Sequence, residues 1–151
     1  MRMKSMKILF VCTGNTCRSP MAEIILKNKI KLAGIKNVRV SSAGIYANEG
    51  EKISRNSALA LKELGLKSYS FKSKQLTPAM LLQADITICM TADHKRGISN
   101  FPDVYCVSEF TGLKDVSDPY GGDLSLYVKT SHEIEDVCNV ILSKIIEKRG
   151  E

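Results

Sequence analysis

Hydrophobic and polar residues follow a pattern typical of strands in some segments and of helices in others, and these segments alternate along the chain. The alternation predicts an α/β fold. Four short segments have the length of strands: 8–11, 84–90 and 104–107 are mainly apolar, and 38–41 alternates apolar and polar residues. Between and after them lie segments with helical periodicity: 21–33, 53–64, short helices opening at Thr77 and Thr91, and a long apolar face over 134–146. This alternation favours a parallel sheet covered by helices on both faces, with functional loops at the carboxyl ends of the strands.

Length and composition favour a single domain. The chain has 151 residues, 44% of them hydrophobic, which suffices for one well-buried core. We interpret 1–151 as one domain, with residues 1–6 as a candidate flexible extension. The apolar run after the basic N-terminus is too short for a signal-peptide core, and no run approaches membrane-spanning length. A cytoplasmic protein without a membrane partner is therefore predicted.

Charge and cysteine content narrow the classes of partner. The formal charge of +6 is spread along the chain, and with 6% aromatic residues and no Trp there is no stacking platform for nucleic acid. Phosphorylated substrates fit this composition better. The cysteines are an odd number without metal-type spacing, which indicates neither a disulfide framework nor a metal site. No cofactor is expected, a monomer is the expected state, and Cys89 and Cys138 are predicted to be core residues.

The polar loop after the first strand carries the clearest chemical signal. Cys12 opens it, Arg18 closes it, and the first helix follows, with Ser19 as the predicted N-cap and Pro20 in the first turn. Loop N–H groups and the helix dipole make such a turn an anion site, and they favour a cysteine thiolate there. An arginine can hold two phosphoryl oxygens while loop N–H groups take the third. Cys12 is thus a candidate nucleophile and Arg18 a candidate phosphoryl-binding residue.

At these residues the chain resembles the low-molecular-weight protein tyrosine phosphatase family. The family's Cys-x5-Arg-Ser loop is written here Cys-Thr-Gly-Asn-Thr-Cys-Arg-Ser-Pro-Met-Ala-Glu. The expected fold is a three-layer α/β/α, flavodoxin-like arrangement with a four-stranded parallel sheet of order 2-1-3-4. The substrate-binding loop residues would be Thr13, Gly14, Asn15, Thr16, Cys17 and Ser19.

The resemblance also suggests which residues support the loop. It implies that Ser42 holds the loop through Asn15, although a turn serine bonded to its own backbone is the alternative, since Ser42-Ala43-Gly44 is predicted as a turn. Relatives often carry a histidine where Phe71 stands, so one expected hydrogen bond to the loop is missing here. His94 is predicted to lie on a solvated helix turn, with a position facing the substrate cleft as the alternative.

A second polar segment supplies the expected acid. A phosphatase that attacks with a thiolate needs an acid for the leaving group and then a base for water, and one carboxyl can do both. Asp118-Pro119 matches the Asp-Pro of the family, and Pro119 restricts Asp118 to an extended backbone. Tyr120, which follows, and Tyr46 are candidate walls of the substrate pocket, with a surface tyrosine as the alternative for Tyr46.

Thr16 determines the expected substrate. Tyrosine-specific members usually have an apolar branched residue at this position, whereas a protein arginine phosphatase branch resembles this chain in both the loop and the Asp-Pro-aromatic-Gly-Gly segment. A threonine hydroxyl can accept a hydrogen bond from a guanidinium that an apolar branch would leave unpaired. Phosphoarginine hydrolysis is therefore predicted. The alternative is phosphotyrosine hydrolysis, with Thr16 a neutral replacement that has no bearing on the substrate. A thiol-linked arsenate reductase is disfavoured, because Arg96 stands where a relay cysteine would be expected after Cys89.

Cys17 has two interpretations. It lies five residues after the candidate nucleophile and could capture an oxidised Cys12 as a reversible disulfide. Alternatively, it is a buried loop cysteine without a redox role.

Overall fold

The structure is a computed structural model and describes residues 5–150. Four strands alternate with six helices in this part of the chain. In order, the elements are β1 (Met6–Cys12), α1 (Arg18–Leu32), β2 (Val38–Gly44), α2 (Arg55–Glu63), α3 (Pro78–Gln83), β3 (Ile86–Cys89), α4 (Ala92–Arg96), β4 (Val104–Cys106), α5 (Val107–Thr111) and α6 (Leu124–Arg149).

The strands form one parallel sheet of order β2-β1-β3-β4, which confirms the predicted topology. β1 lies inside the sheet, and six of its seven residues are buried, as expected of a parallel strand covered on both faces. Its last residue, Cys12, pairs with Gly44 at the end of β2, and Val11 pairs with Cys89 at the end of β3. The carboxyl ends of three neighbouring strands therefore meet around Cys12.

Alternate residues of β1 pack in two separate apolar clusters. Ile8 and Phe10 face a large apolar cluster shared with α1, α2, α5 and α6. Leu9 and Val11 face a smaller cluster that includes Leu81 of α3. Helices thus cover both faces of the sheet, which confirms the three-layer fold. Cys89 and Cys138 are completely buried, as predicted.

Several predicted boundaries were wrong, chiefly at element ends. Residues 42–44, predicted as a turn, continue β2, because each pairs with β1. The fourth strand ends one residue early, since Val107 begins α5, a short helix that the sequence pattern did not predict. The third strand is shorter at both ends than predicted, and the second helix begins at Arg55 behind its N-cap Ser54.

The expected N-terminal extension lies largely outside the described residues. Residues 1–4 are not among them, and Met6, which was assigned to the extension, is instead the first residue of β1 and is buried. No helix within 5–150 combines the length and apolar character needed to cross a membrane.

Candidate active site

The loop between β1 and α1 is shaped by Asn15, the predicted substrate-binding residue at its centre. Asn15 is fully buried and has a φ of 55°, in the left-handed region that asparagine tolerates better than most residues. Its amide nitrogen donates to Ser19 Oγ and to Ser42 Oγ, both at 2.9 Å. Its amide oxygen accepts from the Lys74 backbone N–H at 2.9 Å. The expected contact between Ser42 and Asn15 is thereby confirmed.

A second layer of contacts holds this asparagine network. Ser42 Oγ donates to Glu23 Oε1 at 2.7 Å, and Lys27 pairs with the other carboxylate oxygen at 2.7 Å. Glu23 is buried, so its charge needs these partners. Phe71 stands where the resemblance leads one to expect a histidine, and its side chain is buried. The Asn15 side-chain oxygen accepts its hydrogen bond from the Lys74 backbone N–H.

Gly44 is a loop-supporting residue that the sequence analysis missed. A Cβ at this position would lie 2.6 Å from Thr13 O and 2.8 Å from Asn15 N, closer than real Cβ contacts allow. The next two residues donate backbone N–H groups to the loop: Ile45 to Cys12 O at 3.0 Å and Tyr46 to Thr13 O at 2.8 Å. Only glycine lets the end of β2 approach the loop this closely. Its place at the carboxyl end of a strand, after two small residues, was the available signal.

Cys12 lies at the bottom of the loop. It is 2% exposed, and its Sγ lies 2.8 Å from Ser19 Oγ. The prediction that Ser19 is the helix N-cap was wrong: α1 begins at Arg18, and the capping position belongs to Cys17, whose side chain makes no capping hydrogen bond. The Ser19 hydroxyl instead connects Asn15 to the Cys12 sulfur. Cys17 Sγ lies 3.4 Å from Ser54 Oγ and 3.6 Å from the Tyr127 hydroxyl.

Arg18 is aimed across the mouth of the loop. Its Nη1 donates to Val116 O at 3.0 Å, and its Nη2 lies 3.7 Å from Asp118 Oδ2. Its Nε is buried and has no hydrogen-bond partner within residues 5–150. Asp118 has a half-exposed side chain, and its Oδ1 accepts the Tyr120 backbone N–H at 3.1 Å. The two polar segments singled out in the sequence therefore meet in the fold.

Two adjoining cavities open at this point. The first, of about 280 Å³, is lined by Cys12, Thr13, Gly14, Thr16, Cys17, Arg18, Asp118 and Tyr120. The second, of about 480 Å³, is lined by Thr13, Arg18, Ile45, Tyr46, Thr91, Asp93, His94, Gly97 and Asp118. Tyr46 and Tyr120 are both more than four-fifths exposed, so each stands at the rim of a cavity rather than inside it.

The preferred prediction for His94, a solvated helix turn, was wrong, and the alternative, a position facing the cleft, is the one observed. It is 7% exposed, and its Nε2 lies 2.9 Å from Thr13 Oγ1. Its Nδ1 accepts the Thr91 backbone N–H at 3.2 Å in a capping box at the start of α4. Burial, together with the nearby Arg18 cation, lowers the pKa of His94 from 6.5 to about 4.

This buried histidine should make the stability of the protein depend on pH. The folded pKa lies below the unfolded value, so the unfolded state binds the proton more readily, and stability is lost as pH falls from about 6.5 towards 4. The loss from His94 should reach at most about 3 kcal/mol. Urea unfolding at several pH values would measure it, with His94→Gln as the comparison. An equally steep decline in the variant would contradict this assignment.

Two further carboxylates, Asp123 and Asp115, hold backbone N–H groups at helix starts. Asp123 Oδ1 accepts the Leu126 N–H at 3.0 Å and caps α6. Asp115 accepts N–H groups from Ala92 and Ser108, and so connects the starts of α4 and α5.

A cysteine-dependent phosphatase is the class of enzyme that this loop, placed at the end of this parallel sheet, defines. The family model described as low molecular weight phosphotyrosine protein phosphatase matches residues 7–150. The chain belongs to that family, which confirms the resemblance and the prediction of a hydrolase.

Individual relatives of two kinds are similar to the chain. It is 36% identical to a protein-arginine-phosphatase of Bacillus subtilis, over 95% of this chain and 99% of the relative. It is 38% identical to the low molecular weight protein-tyrosine-phosphatase PtpB of Staphylococcus aureus, over 91% of this chain and 95% of the relative. A crystal structure of a low molecular weight protein tyrosine phosphatase from T. tengcongensis superposes with a TM-score of 0.87 at 40% identity, covering 93% and 99% of the two chains.

Proposed function

We propose that this protein is a protein arginine phosphatase that hydrolyses phosphoarginine in proteins through a thiophosphate on Cys12. The observation that carries the proposal is that Thr16, a polar residue, lines the same cavity as Cys12 and Asp118. A guanidinium seated there meets a hydroxyl acceptor and a carboxylate, which suit its N–H groups and its charge. The similarity to the arginine phosphatase of Bacillus subtilis supports the proposal.

Each step of the proposed reaction has a group to perform it. The Cys12 thiolate attacks phosphorus, the phosphorus–nitrogen bond breaks, and Asp118 gives its proton to the departing guanidine nitrogen. Water then attacks the thiophosphate while the Asp118 carboxylate takes a proton, which releases phosphate and restores the thiolate. Arg18 and the loop N–H groups hold the phosphoryl oxygens throughout.

A solved structure similar to this chain supports a covalent step at the nucleophile position. It is an arginine phosphatase variant with a phosphorylated active-site serine, which superposes with a TM-score of 0.86 at 36% identity. We infer the same site of phosphoryl transfer, Cys12, for this chain.

Phosphotyrosine is the second candidate substrate. Tyr46 and Tyr120 stand at the cavity rims, where an exposed aromatic ring stacks on a phenol as well as on a guanidinium. The similarity to PtpB of Staphylococcus aureus also favours this alternative. An arsenate reductase relay is less suitable, because Cys89 is completely buried and desolvation raises its pKa to about 12.

Substrate preference should depend on the Thr16 hydroxyl. We expect wild type to prefer phosphoarginine peptides, and Thr16→Ile to lose about tenfold or more in kcat/KM on them, because guanidinium N–H groups are left unpaired. Activity on phosphotyrosine peptides should hold or rise in the same variant. The measurement is kcat/KM for both peptides side by side.

Two matched variants isolate the hydroxyl in this experiment. Thr16→Val removes it at nearly constant shape, and Thr16→Ser keeps it. The arginine assignment fails if wild type prefers phosphotyrosine. The role of Thr16 fails if the valine and serine variants behave alike.

The second loop cysteine is expected to protect the first from irreversible oxidation. Peroxide should inactivate the enzyme and a thiol reductant should restore it, because Cys17 can trap an oxidised Cys12 as a disulfide. Cys17→Ser should then recover far less activity than wild type, whereas Cys106→Ser, at the end of β4, should recover normally. Equal recovery of the Cys17 variant would refute the redox role.

We further propose that the substrates are cytoplasmic phosphoproteins. We also propose that the protein acts as a monomer of one domain and needs no metal ion. The five cysteines are buried and unpaired, as expected in a reducing compartment, which supports the location.

A further inference from the structure

The hydroxyl of Thr13 occupies the junction of the two cavities. Thr13 follows Cys12 directly, is exposed, and lines both cavities together with Arg18 and Asp118. Its Oγ1 makes a 2.9 Å contact with His94 Nε2. Which of the two atoms donates in that contact decides whether Thr13 presents a proton or a lone pair to the crevice.

The partners of the other ring nitrogen settle the direction of this hydrogen bond. His94 Nδ1 lies 3.2 Å from the Thr91 backbone nitrogen and 3.0 Å from Thr91 Oγ1. A backbone N–H can only donate, so Nδ1 is the acceptor, and the proton of a neutral ring lies on Nε2. Nε2–H therefore donates to Thr13 Oγ1, and the hydroxyl's own proton points away from the histidine.

The surroundings of His94 keep the ring neutral. Burial and the positive charge of Arg18 oppose protonation, while the carboxylates Asp118, Asp93 and Asp115 favour it less strongly, and the resulting pKa is about 4. The Nε2–H form is thus the one present at neutral pH. It holds Thr13 as a hydrogen-bond donor beside an arginine whose buried Nε has no partner within the described residues.

We propose that His94 is a positioning residue that acts through Thr13: by donating from Nε2, it directs the Thr13 hydroxyl proton towards a phosphoryl oxygen bound in the crevice beside Arg18. The inference rests on the proposed function only in taking a phosphoryl group as the ligand. It applies equally to phosphoarginine, phosphotyrosine and free phosphate, because all three present the same tetrahedral oxygens.

Two histidine variants separate the two ring nitrogens. In His94→Asn the amide reaches the place of Nδ1, so the contact with Thr91 is kept and the donor to Thr13 is lost. In His94→Gln the amide reaches the place of Nε2 and can still donate to Thr13. Thr13→Val removes the hydroxyl at nearly constant shape, and Thr13→Ser retains it.

The experiment is a double-mutant cycle between His94 and Thr13 with two readouts, binding of inorganic phosphate by calorimetry and kcat/KM for p-nitrophenyl phosphate. We expect His94→Asn and Thr13→Val each to lower both by about tenfold, and the double variant to be no worse than either alone. His94→Gln should retain more activity than His94→Asn. The asparagine substitution should remain harmful in the Thr13→Ser background, where the hydroxyl is present.

Additive losses in the double variant would overturn the proposal, because His94 would then act on the fold and not through Thr13. If the variants do not fold, ring ¹⁵N shifts of wild type still test it: protonation at Nδ1 at neutral pH would refute the assigned direction. Phosphate binding with the predicted coupling, but no turnover of any phosphoryl substrate, would instead refute the proposed function and leave this inference standing.

Discussion

Replacing Cys12 by serine should lower kcat by at least about a thousandfold on every phosphoryl substrate, because a serine hydroxyl is a far weaker nucleophile than a thiolate. Binding of inorganic phosphate should persist within a few-fold, since Arg18 and the loop N–H groups that would hold the oxygens are unchanged. The substitution adds no bulk, and Ser19 Oγ, 2.8 Å from the sulfur, can still bond a hydroxyl there. Steady-state kinetics and calorimetry would measure the two effects separately.

Cys106→Ser is the matched control for this experiment. Cys106 is also a buried cysteine at the end of a strand, but it lines neither of the two cavities, so its variant should turn over normally. A Cys12→Ser enzyme with kcat within tenfold of wild type would exclude Cys12 as the nucleophile.

Asp118→Asn should lower kcat by about a hundred- to ten-thousandfold on phosphoarginine peptides, where the leaving nitrogen needs a proton. The loss should be much smaller on p-nitrophenyl phosphate, because nitrophenolate departs readily without one. The amide keeps the shape of the side chain and can still accept the Tyr120 N–H. The dependence of the loss on the leaving group distinguishes an acid from a residue that only shapes the loop.

Asp93→Asn makes the same change of charge nearby and serves as the control. Asp93 lines the second cavity, and its exposed side chain pairs with the exposed Arg96 at 3.0 Å. This variant should remain close to wild type on both substrates. An Asp118→Asn enzyme that loses the same factor on both substrates would contradict the role of proton donor.

The order of strands and helices along the chain was predictable because the strands carry strong local signals. β1 and β3 are apolar runs bounded by polar residues, and parallel strands buried on both faces need such runs. Element ends were less predictable, because they depend on partners distant in sequence. Glycine is typical of turns, yet Gly44 belongs to β2 because Cys12 of β1 pairs with it.

The meeting of the Cys12 loop with the Asp118 segment was likewise predictable. Most of the contacts that support the loop were not, apart from the contact between Ser42 and Asn15, which the resemblance implied. Cys12 and Arg18 share one loop with a recognisable spacing, and Asp118 precedes a proline. His94 lies 81 residues from Thr13, so no local pattern could show that the two would meet. Ser19 was predicted wrongly because its residue type suits a helix cap. In the folded protein its hydroxyl oxygen instead accepts a hydrogen bond from the buried amide of Asn15.

The anchoring of Arg18 by Val116 has a consequence for how the protein acquires its activity. The guanidinium belongs to the first turn of the first helix, but the carbonyl that holds it is 98 residues further along the chain. A nascent chain can therefore form the β1 loop early and still lack a fixed guanidinium until the segment after α5 has been made and docked. Such long-range closures are late, entropically costly events in folding. The return of catalytic turnover during refolding should thus report docking of the segment after α5 against Arg18, and not formation of the loop alone.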